Sequence, residues 1–271
     1  MIRIVVSGAA GKMGRETLRA VWKAGDIELV GAVDPFSGEI DAGVLMDTVE
    51  TGILVRPDLE RVLEETKPDI MIDFTSPESV YKNICTALKL GVRPVVGTTG
   101  MSDVQLNDVK EKAHRYKTGC VVAPNFAIGA LLMMKFAAEA SKYFPNVEII
   151  EMHHDKKVDA PSGTAVKTAE LINLGRGEYR ARQVPDIEKL TGARGAEFEK
   201  GIRIHSVRLP GLMAHQEVIF GGLGQTLNIR HDSMSRESFM PGVLLAVRKV
   251  MTLNEMVYGL ESVIFEGGIP S

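Results

Sequence analysis

The sequence predicts an α/β protein: a doubly wound parallel sheet joined to a second α+β domain with a mixed or antiparallel sheet. Three observations predict it. Apolar strand runs alternate with helical stretches over residues 1–126. A glycine-rich turn follows the first of those strands and opens the first helix. Beyond Asn125 the pattern changes to a long apolar helix, a strand, and three β-rich segments separated by Pro-Gly and glycine turns. Strand–helix repetition builds an open parallel sheet with helices on both faces, whereas clustered strands with short turns pair antiparallel.

Ile2–Ser7 is apolar enough for a strand buried on both faces. Gly8-Ala9-Ala10-Gly11-Lys12-Met13-Gly14 follows, then a helix through about Ala24. The spacing is G-x-x-G-x-x-G, less specific than G-x-G-x-x-G, but strand, glycine turn and helix together let backbone amides approach a pyrophosphate. A second strand, Ile27–Val33, ends at Asp34, where an acidic side chain binds adenosine ribose hydroxyls. The plain alternative is a helix-capping turn and a loop aspartate. The nucleotide reading makes the first domain Rossmann-type.

A short strand at Ile53–Val55 and a helix at Asp58–Thr66 come next. Asp69–Phe74 is a buried strand, and Pro77–Leu90 is a helix stopped by Gly91. Pro94–Val96 leads into Gly97-Thr98-Thr99-Gly100, Asp103–Lys117 is helical, and Cys120–Ala123 closes on Pro124-Asn125-Phe126. Ligands of such sheets bind at the carboxyl ends of strands. Those ends are Gly8–Gly14, Asp34, Phe74-Thr75, Gly97–Thr99 and Ala123–Phe126; among them Gly8, Ala9, Ala10, Gly11, Lys12, Met13, Asp34, Gly97, Thr98, Thr99, Ala123, Pro124, Asn125 and Phe126 are the candidate cofactor residues.

In the C-terminal half Ile128–Tyr143 reads as a helix and Asn146–Met152 as an alternating strand. Gly175–Lys200 is polar and glycine-interrupted, and no regular structure is expected there. Ile202–Leu209, His215–Phe220 and Gln225–His231 are the β-rich segments, and Glu237–Met251 is a helix expected to pack back on the first domain. The expected division is 1–126, with 240–271 packing back on it, as the dinucleotide-binding domain, and 127–239 as the substrate-binding and oligomerisation domain.

The densest chemistry lies in Glu151–Thr164, where two imidazoles and two ammonium groups fall within fourteen positions. The histidines end a strand, Ser162 N-caps a helix running to about Leu174, and the first amides of that helix suit a carboxylate or phosphate. Taken singly, each histidine reads as a packed strand residue and the lysines as a solvated loop. Metal ligation is a third reading, but Cys85 and Cys120 are remote in sequence and Lys156 and Lys157 would repel a cation. An anion pocket beside proton-transfer groups accounts for the whole run, and no metal is expected.

The 271 residues suffice for two modest domains, and a net charge of −3 offers no electrostatic attraction for nucleic acid. Two cysteines fit a reducing compartment, no signal-peptide pattern precedes the first strand, and no apolar run reaches the ~18 residues of a membrane span. A soluble cytoplasmic protein without membrane or nucleic-acid partners is expected.

Across nearly the whole chain these residues resemble the 4-hydroxy-tetrahydrodipicolinate reductase (dihydrodipicolinate reductase) family of diaminopimelate and lysine biosynthesis. The resemblance rests on Gly8–Gly14, Asp73–Glu78, Gly97–Gly100, Ala123–Phe126, Glu151–Thr164, Ser206–Gly211, His215–Phe220 and His231–Phe239. It implies hydride delivery from NADH or NADPH to C4 of a cyclic imine dicarboxylate, with loss of the 4-hydroxyl as water and protonation of the electron-rich carbon. It further implies His153 as the acid–base residue, Lys157 as proton donor, His154, Gly163 and Thr164 as substrate-binding residues, and a homotetramer. Another two-domain NAD(P) oxidoreductase of amino-acid metabolism, or a non-catalytic nucleotide sensor, would explain the first domain but not the His153–Thr164 run.

Two positions depart from the family's common pattern. Pro35 stands where many relatives have Arg, and Ser76 replaces the Arg of a Thr-Arg-Pro tripeptide. With Asp34 opposing a 2′-phosphate and only Lys12 and Arg15 available against it, a modest preference for NADH is expected.

Overall fold

The computed structural model describes residues 1–177, 179 and 187–265, which fall into two compact units. The first comprises Met1–Phe126 and the chain from Phe239, the second Ala127–Ser238. In chain order the first unit contributes β1 (Ile2–Ser7), α1 (Lys12–Lys23), β2 (Ile27–Val33), α2 (Ala42–Met46), β3 (Val55–Arg56), α3 (Leu59–Thr66), β4 (Ile70–Asp73), α4 (Pro77–Lys89), β5 (Arg93–Val96), α5 (Asp103–Tyr116) and β6 (Cys120–Val122). The second contributes α6 (Ile128–Ala140), β7 (Asn146–His153), α7 (Gly163–Gly175), β8 (Ala196–Phe198), β9 (Ile202–Arg208), β10 (Ala214–Gly222) and β11 (Gln225–Ser233). The chain then returns to the first unit with α8 (Met240–Val250), β12 (Met256–Tyr258) and α9 (Glu261–Ile264).

The first sheet has seven parallel strands in the order β12-β6-β5-β4-β1-β2-β3. Its central strands are buried on both faces: Ile4, Val5, Val6, Ile70, Met71, Ile72, Val95 and Val96 are all fully buried. Local signals set the helix starts. Ser102 and Gln105 form a reciprocal capping box on α5, the Asp58 carboxylate caps α3, and Pro77 opens α4. The reversal of strand order at β1 places the carboxyl ends of β1, β2 and β4 side by side, and those ends carry the glycine turn, Asp34 and Asp73.

The second sheet is mixed, in the order β11-β10-β7-β9-β8, with β7 and β9 parallel and the other pairs antiparallel. Along β7 the buried positions are Val147, Ile149 and Glu151, so a carboxylate takes the third place on an otherwise apolar face. His153 follows two residues on and shares that face.

Several expectations need correction. The third strand is Val55–Arg56, later than Ile53–Val55, because Leu54 instead bridges antiparallel to Asp41. The Asp41 carboxylate accepts backbone N–H groups from Gly43, Thr51 and Gly52, which forms the unexpected α2 and its following turn. The polar stretch Gly175–Lys200 contains β8, an edge strand formed only by pairing with β9. Residues 178 and 180–186 of that stretch, and 266–271 of the expected C-terminal packing segment, lie outside the described residues. Glu237–Met251 is a 3-10 turn at Arg236–Phe239 followed by α8.

Candidate active site

In the first unit a cleft of about 300 Å³ opens at the strand ends, among Gly8, Gly11, Asp34, Phe36, Thr75 and Asn83. Bare backbone is required there. Gly8 has φ of +78°, and a Cβ at that position would lie 2.3 Å from the Phe74 carbonyl oxygen. At Gly14 a Cβ would lie 2.0 Å from the Gly8 oxygen, so the turn closes directly on the start of α1. A cradle without side chains at a helix N-terminus fits a dinucleotide pyrophosphate. The Asp34 carboxylate faces this cleft, its Oδ2 accepting the Ala10 N–H and its Oδ1 the Phe36 N–H, each at 3.0 Å. Each oxygen keeps a lone pair for a ribose hydroxyl.

The candidate cofactor residues separate into groups. Gly8, Gly11 and Asp34 line the cleft, while Ala9 and Ala10 complete the turn and Lys12 and Met13 open α1 beside it. Arg15 is exposed and donates through Nε to the Ala10 carbonyl at 3.0 Å. Thr98, Thr99 and Pro124 line a separate cavity of about 30 Å³ with Tyr258. Gly97 lies against the Phe74 ring, where a Cβ would be 2.0 Å from Cε1, and Phe126 meets that ring edge-on at 5.9 Å. Ala123 is buried, and Asn125 follows β6 with the rest of the Ala123–Phe126 turn.

Sequence reasoning assigned no role to Asp73. Fully buried at the end of β4, its Oδ1 accepts the Thr75 N–H, the Thr75 hydroxyl at 2.7 Å and the Thr98 hydroxyl at 2.8 Å, and its Oδ2 accepts Asn83 Nδ2 at 2.8 Å. Burial pushes the Asp73 carboxyl up, against these hydrogen bonds. Thr98 also accepts the Thr75 N–H at 2.8 Å, so its hydroxyl is committed to joining the ends of β4 and β5. The signal was present in an acidic residue ending an apolar strand.

In the second unit the Glu151–Thr164 run forms one connected cluster. His153 Nδ1 lies 2.6 Å from Glu151 Oε2. Arg208, at the end of the neighbouring β9, grips Glu151 with Nη1 to Oε2 at 2.8 Å and Nη2 to Oε1 at 2.7 Å. Glu151 Oε1 also accepts the N–H of Ser162, the N-cap of α7, at 3.2 Å. Burial pushes the Glu151 carboxyl up, but hydrogen bonds from Arg208, Ser206 and His153 together outweigh it and hold it below the ordinary value. Burial is also the main cause that lowers the His153 pKa; Glu151 opposes that effect, and the Lys157 and Arg208 charges add to it.

Lys157 donates to both oxygens of Asp159 at 2.7 Å, and Arg208 Nη2 donates to the Asp159 carbonyl at 2.8 Å, which ties the loop to β9. The His154 carbonyl accepts the Lys157 N–H at 3.2 Å, and its buried Nδ1 has no partner among the described residues. The first turn of α7 starts at Gly163 and Thr164, whose amides have no helical carbonyl to bond; open space lies beside Gly163. The His153 imidazole and the N-terminus of α7 are thus held on the buried Glu151 carboxylate, and the Lys157–Asp159 pair is joined to it through Arg208. Arg208 and Glu151 were not singled out as site residues; a carboxylate two positions before a histidine on one strand face was the available signal.

Residues 2–126 match the family described as Dihydrodipicolinate reductase, N-terminus, and residues 129–264 match Dihydrodipicolinate reductase, C-terminus. The 4-hydroxy-tetrahydrodipicolinate reductase of Desulfitobacterium hafniense strain DCB-2 is 53% identical over 262 residues, covering 96% of this chain and 98% of that protein. The corresponding protein of Syntrophomonas wolfei is 50% identical over 262 residues, covering 97% and 98%. A solved structure of dipicolinate-bound dihydrodipicolinate reductase from Paenisporosarcina sp. TG-14 superposes with a TM-score of 0.85 at 47% identity, covering 97% of this chain and all of that one. An amine dehydrogenase from Mycobacterium smegmatis, 15% identical with a TM-score of 0.67, shares the fold alone. The Rossmann-type sheet and these relatives define an NAD(P)H-dependent oxidoreductase. The chain belongs to the dihydrodipicolinate reductase family, whose members act in lysine and diaminopimelate biosynthesis.

Proposed function

We propose that this chain reduces 4-hydroxy-tetrahydrodipicolinate to tetrahydrodipicolinate with loss of water, using NADH in modest preference to NADPH. The observation that carries the reading is the convergence of His153, Lys157 and the N-terminus of α7 on one loop-and-strand cluster. The nicotinamide cofactor supplies the hydride. The glycine turn Gly8–Met13, Asp34, Gly97–Thr99 and Ala123–Phe126 hold and orient it, with Asp34 on the ribose. Amides and hydroxyl at Gly163-Thr164 hold one substrate carboxylate, with His154 beside them. Lys157 carries the proton for the carbon left electron-rich, and His153 serves as the acid–base residue. A positioned general acid contributes ~10²–10⁴-fold.

A dipicolinate-bound relative, similar over 97% of this chain, supports a planar dicarboxylate as the ligand class. The expected setting is the cytoplasm and the expected assembly a homotetramer built through the second sheet. No helix among the described residues is long and apolar enough to cross a membrane. The test is oxidation of NADH and NADPH, followed in parallel at 340 nm with the chemically generated cyclic substrate. Turnover with both and a higher kcat/KM for NADH is expected; tight nucleotide binding without turnover would replace this reading with a nucleotide sensor.

A further inference from the structure

We propose that Glu151 is a positioning residue for this reduction: it holds His153 as the Nδ1–H tautomer, leaves Nε2 as the proton-exchanging atom, and anchors the anion-binding end of α7 through Ser162. The inference rests on the acid–base reading of His153.

The geometry is specific to this histidine. Glu151 and His153 lie two residues apart on β7 and therefore on one face, with Nδ1 and Oε2 2.6 Å apart. Glu151 is fully buried and doubly gripped by Arg208, so it stays a carboxylate and accepts. The hydrogen on Nδ1 is thereby assigned, and Nε2 has no partner among the described residues. His215 makes the contrast. Its Nδ1 meets Asp232 at 2.6 Å while its Nε2 accepts the Met213 N–H at 3.2 Å, so no position is left for proton exchange.

Three charged groups act on His153. Glu151 approaches along its own strand, Arg208 from β9, and Lys157 from the following loop, while the residue opposite on β10 is Ala214. Glu151 is the one anion among them and favours the imidazolium. When a proton leaves Nε2, the imidazolium becomes the neutral Nδ1–H form and Glu151 remains ionised throughout. The other oxygen of the same carboxylate accepts the Ser162 N–H, so the proton site and the anion site share one fixed reference.

The test begins with wild-type protein carrying ¹⁵N-labelled histidine, titrated by NMR without any substitution. The Nδ1–H tautomer is expected for neutral His153; an Nε2–H tautomer would overturn the proposal. In Glu151→Gln an amide N–H replaces the acceptor and the anion is lost. His153 should then switch to Nε2–H, and the high-pH fall in kcat/KM should move to lower pH, with kcat at neutral pH down ~10²-fold and KM for NADH within about twofold. An unmoved pH limb in folded Glu151→Gln enzyme would also overturn it. A His153→Ala enzyme with normal turnover would sink the acid–base reading, and with it the premise. An inactive His153→Ala enzyme beside an Nε2–H wild type would sink the Glu151 role alone.

Discussion

Lys157 is paired but not sealed off: both Asp159 oxygens hold its ammonium at 2.7 Å, and its side chain keeps 21% of its exposure. An ammonium held this way can be released to a substrate without leaving a buried charge. Lys157→Ala should lower kcat by about 10²-fold or more, with nucleotide affinity little changed, because Lys157 lies outside the nucleotide-binding unit. Near-normal kcat in that variant would remove the proposed proton donor. At the other end of the cluster, Thr164→Val deletes one hydroxyl from the first turn of α7. A lost hydrogen bond to a charged group costs roughly 1.5–3 kcal/mol, so KM for substrate should rise at least tenfold. Pyridine-2,6-dicarboxylate should compete with substrate, and its failure to inhibit at high concentration would show that the helix end is not a carboxylate site.

Four hydrogen bonds converge on Asp73 and tie the turns after β4 and β5 to Asn83 in the middle of α4. Asp73→Ala would strand the Thr75 hydroxyl, the Thr98 hydroxyl and the Asn83 amide, while the Thr75 N–H keeps Thr98 as acceptor. Unsatisfied buried groups cost roughly 1–3 kcal/mol each, with partial relaxation, so a loss of about 2–4 kcal/mol in unfolding free energy is expected. Asp73→Asn keeps an acceptor oxygen for three of the bonds and should retain most of the stability. Urea denaturation of the two variants decides; equal stability would mean the network holds nothing. Since burial raises the Asp73 pKa, the native state keeps this proton better than the unfolded chain. The carboxyl therefore contributes stability at low pH that is lost as pH rises through its folded value, and Asp73→Asn should abolish that dependence.

Taken over both units, acid should weaken the protein near the histidine range. Burial lowers the pKa of His153 and of His231. A depressed histidine contributes stability above its unfolded pKa, about 6.5, and loses it as pH falls through the folded value. Tm should accordingly drop between about pH 7 and pH 5, and His231→Gln should reduce the drop; a flat Tm across that window would contradict both shifts. Cofactor choice belongs to the nucleotide-binding unit. Asp34 is fixed by two backbone N–H groups, Pro35 brings no charge, and Arg15 is engaged by the Ala10 carbonyl. Exposed cations contribute only ~0–1 kcal/mol each, so NADH should lead by roughly tenfold in kcat/KM, about 1.4 kcal/mol. Pro35→Arg should move the ratio toward NADPH and Lys12→Ala away from it. Wild-type enzyme that works better with NADPH would show that Lys12 or Arg15 outweighs Asp34.

Local chemistry made much of this readable in one dimension. The first strands were legible because burial on both faces demands apolar runs, and the glycine turn because only glycine tolerates the Phe74 carbonyl at 2.3 Å. The Ser162 cap and the strand end at His153 were legible because capping and strand ending are near-neighbour events. What stayed hidden depends on partners far along the chain. β8 exists only because β9 lies beside it, and α2 only because Asp41 gathers amides up to Gly52. Arg208 reaches Glu151 across fifty-seven residues, and Thr98 reaches Asp73 across twenty-five. A buried carboxylate reads as an ordinary charged residue until the fold removes its water and shows which donors replace it.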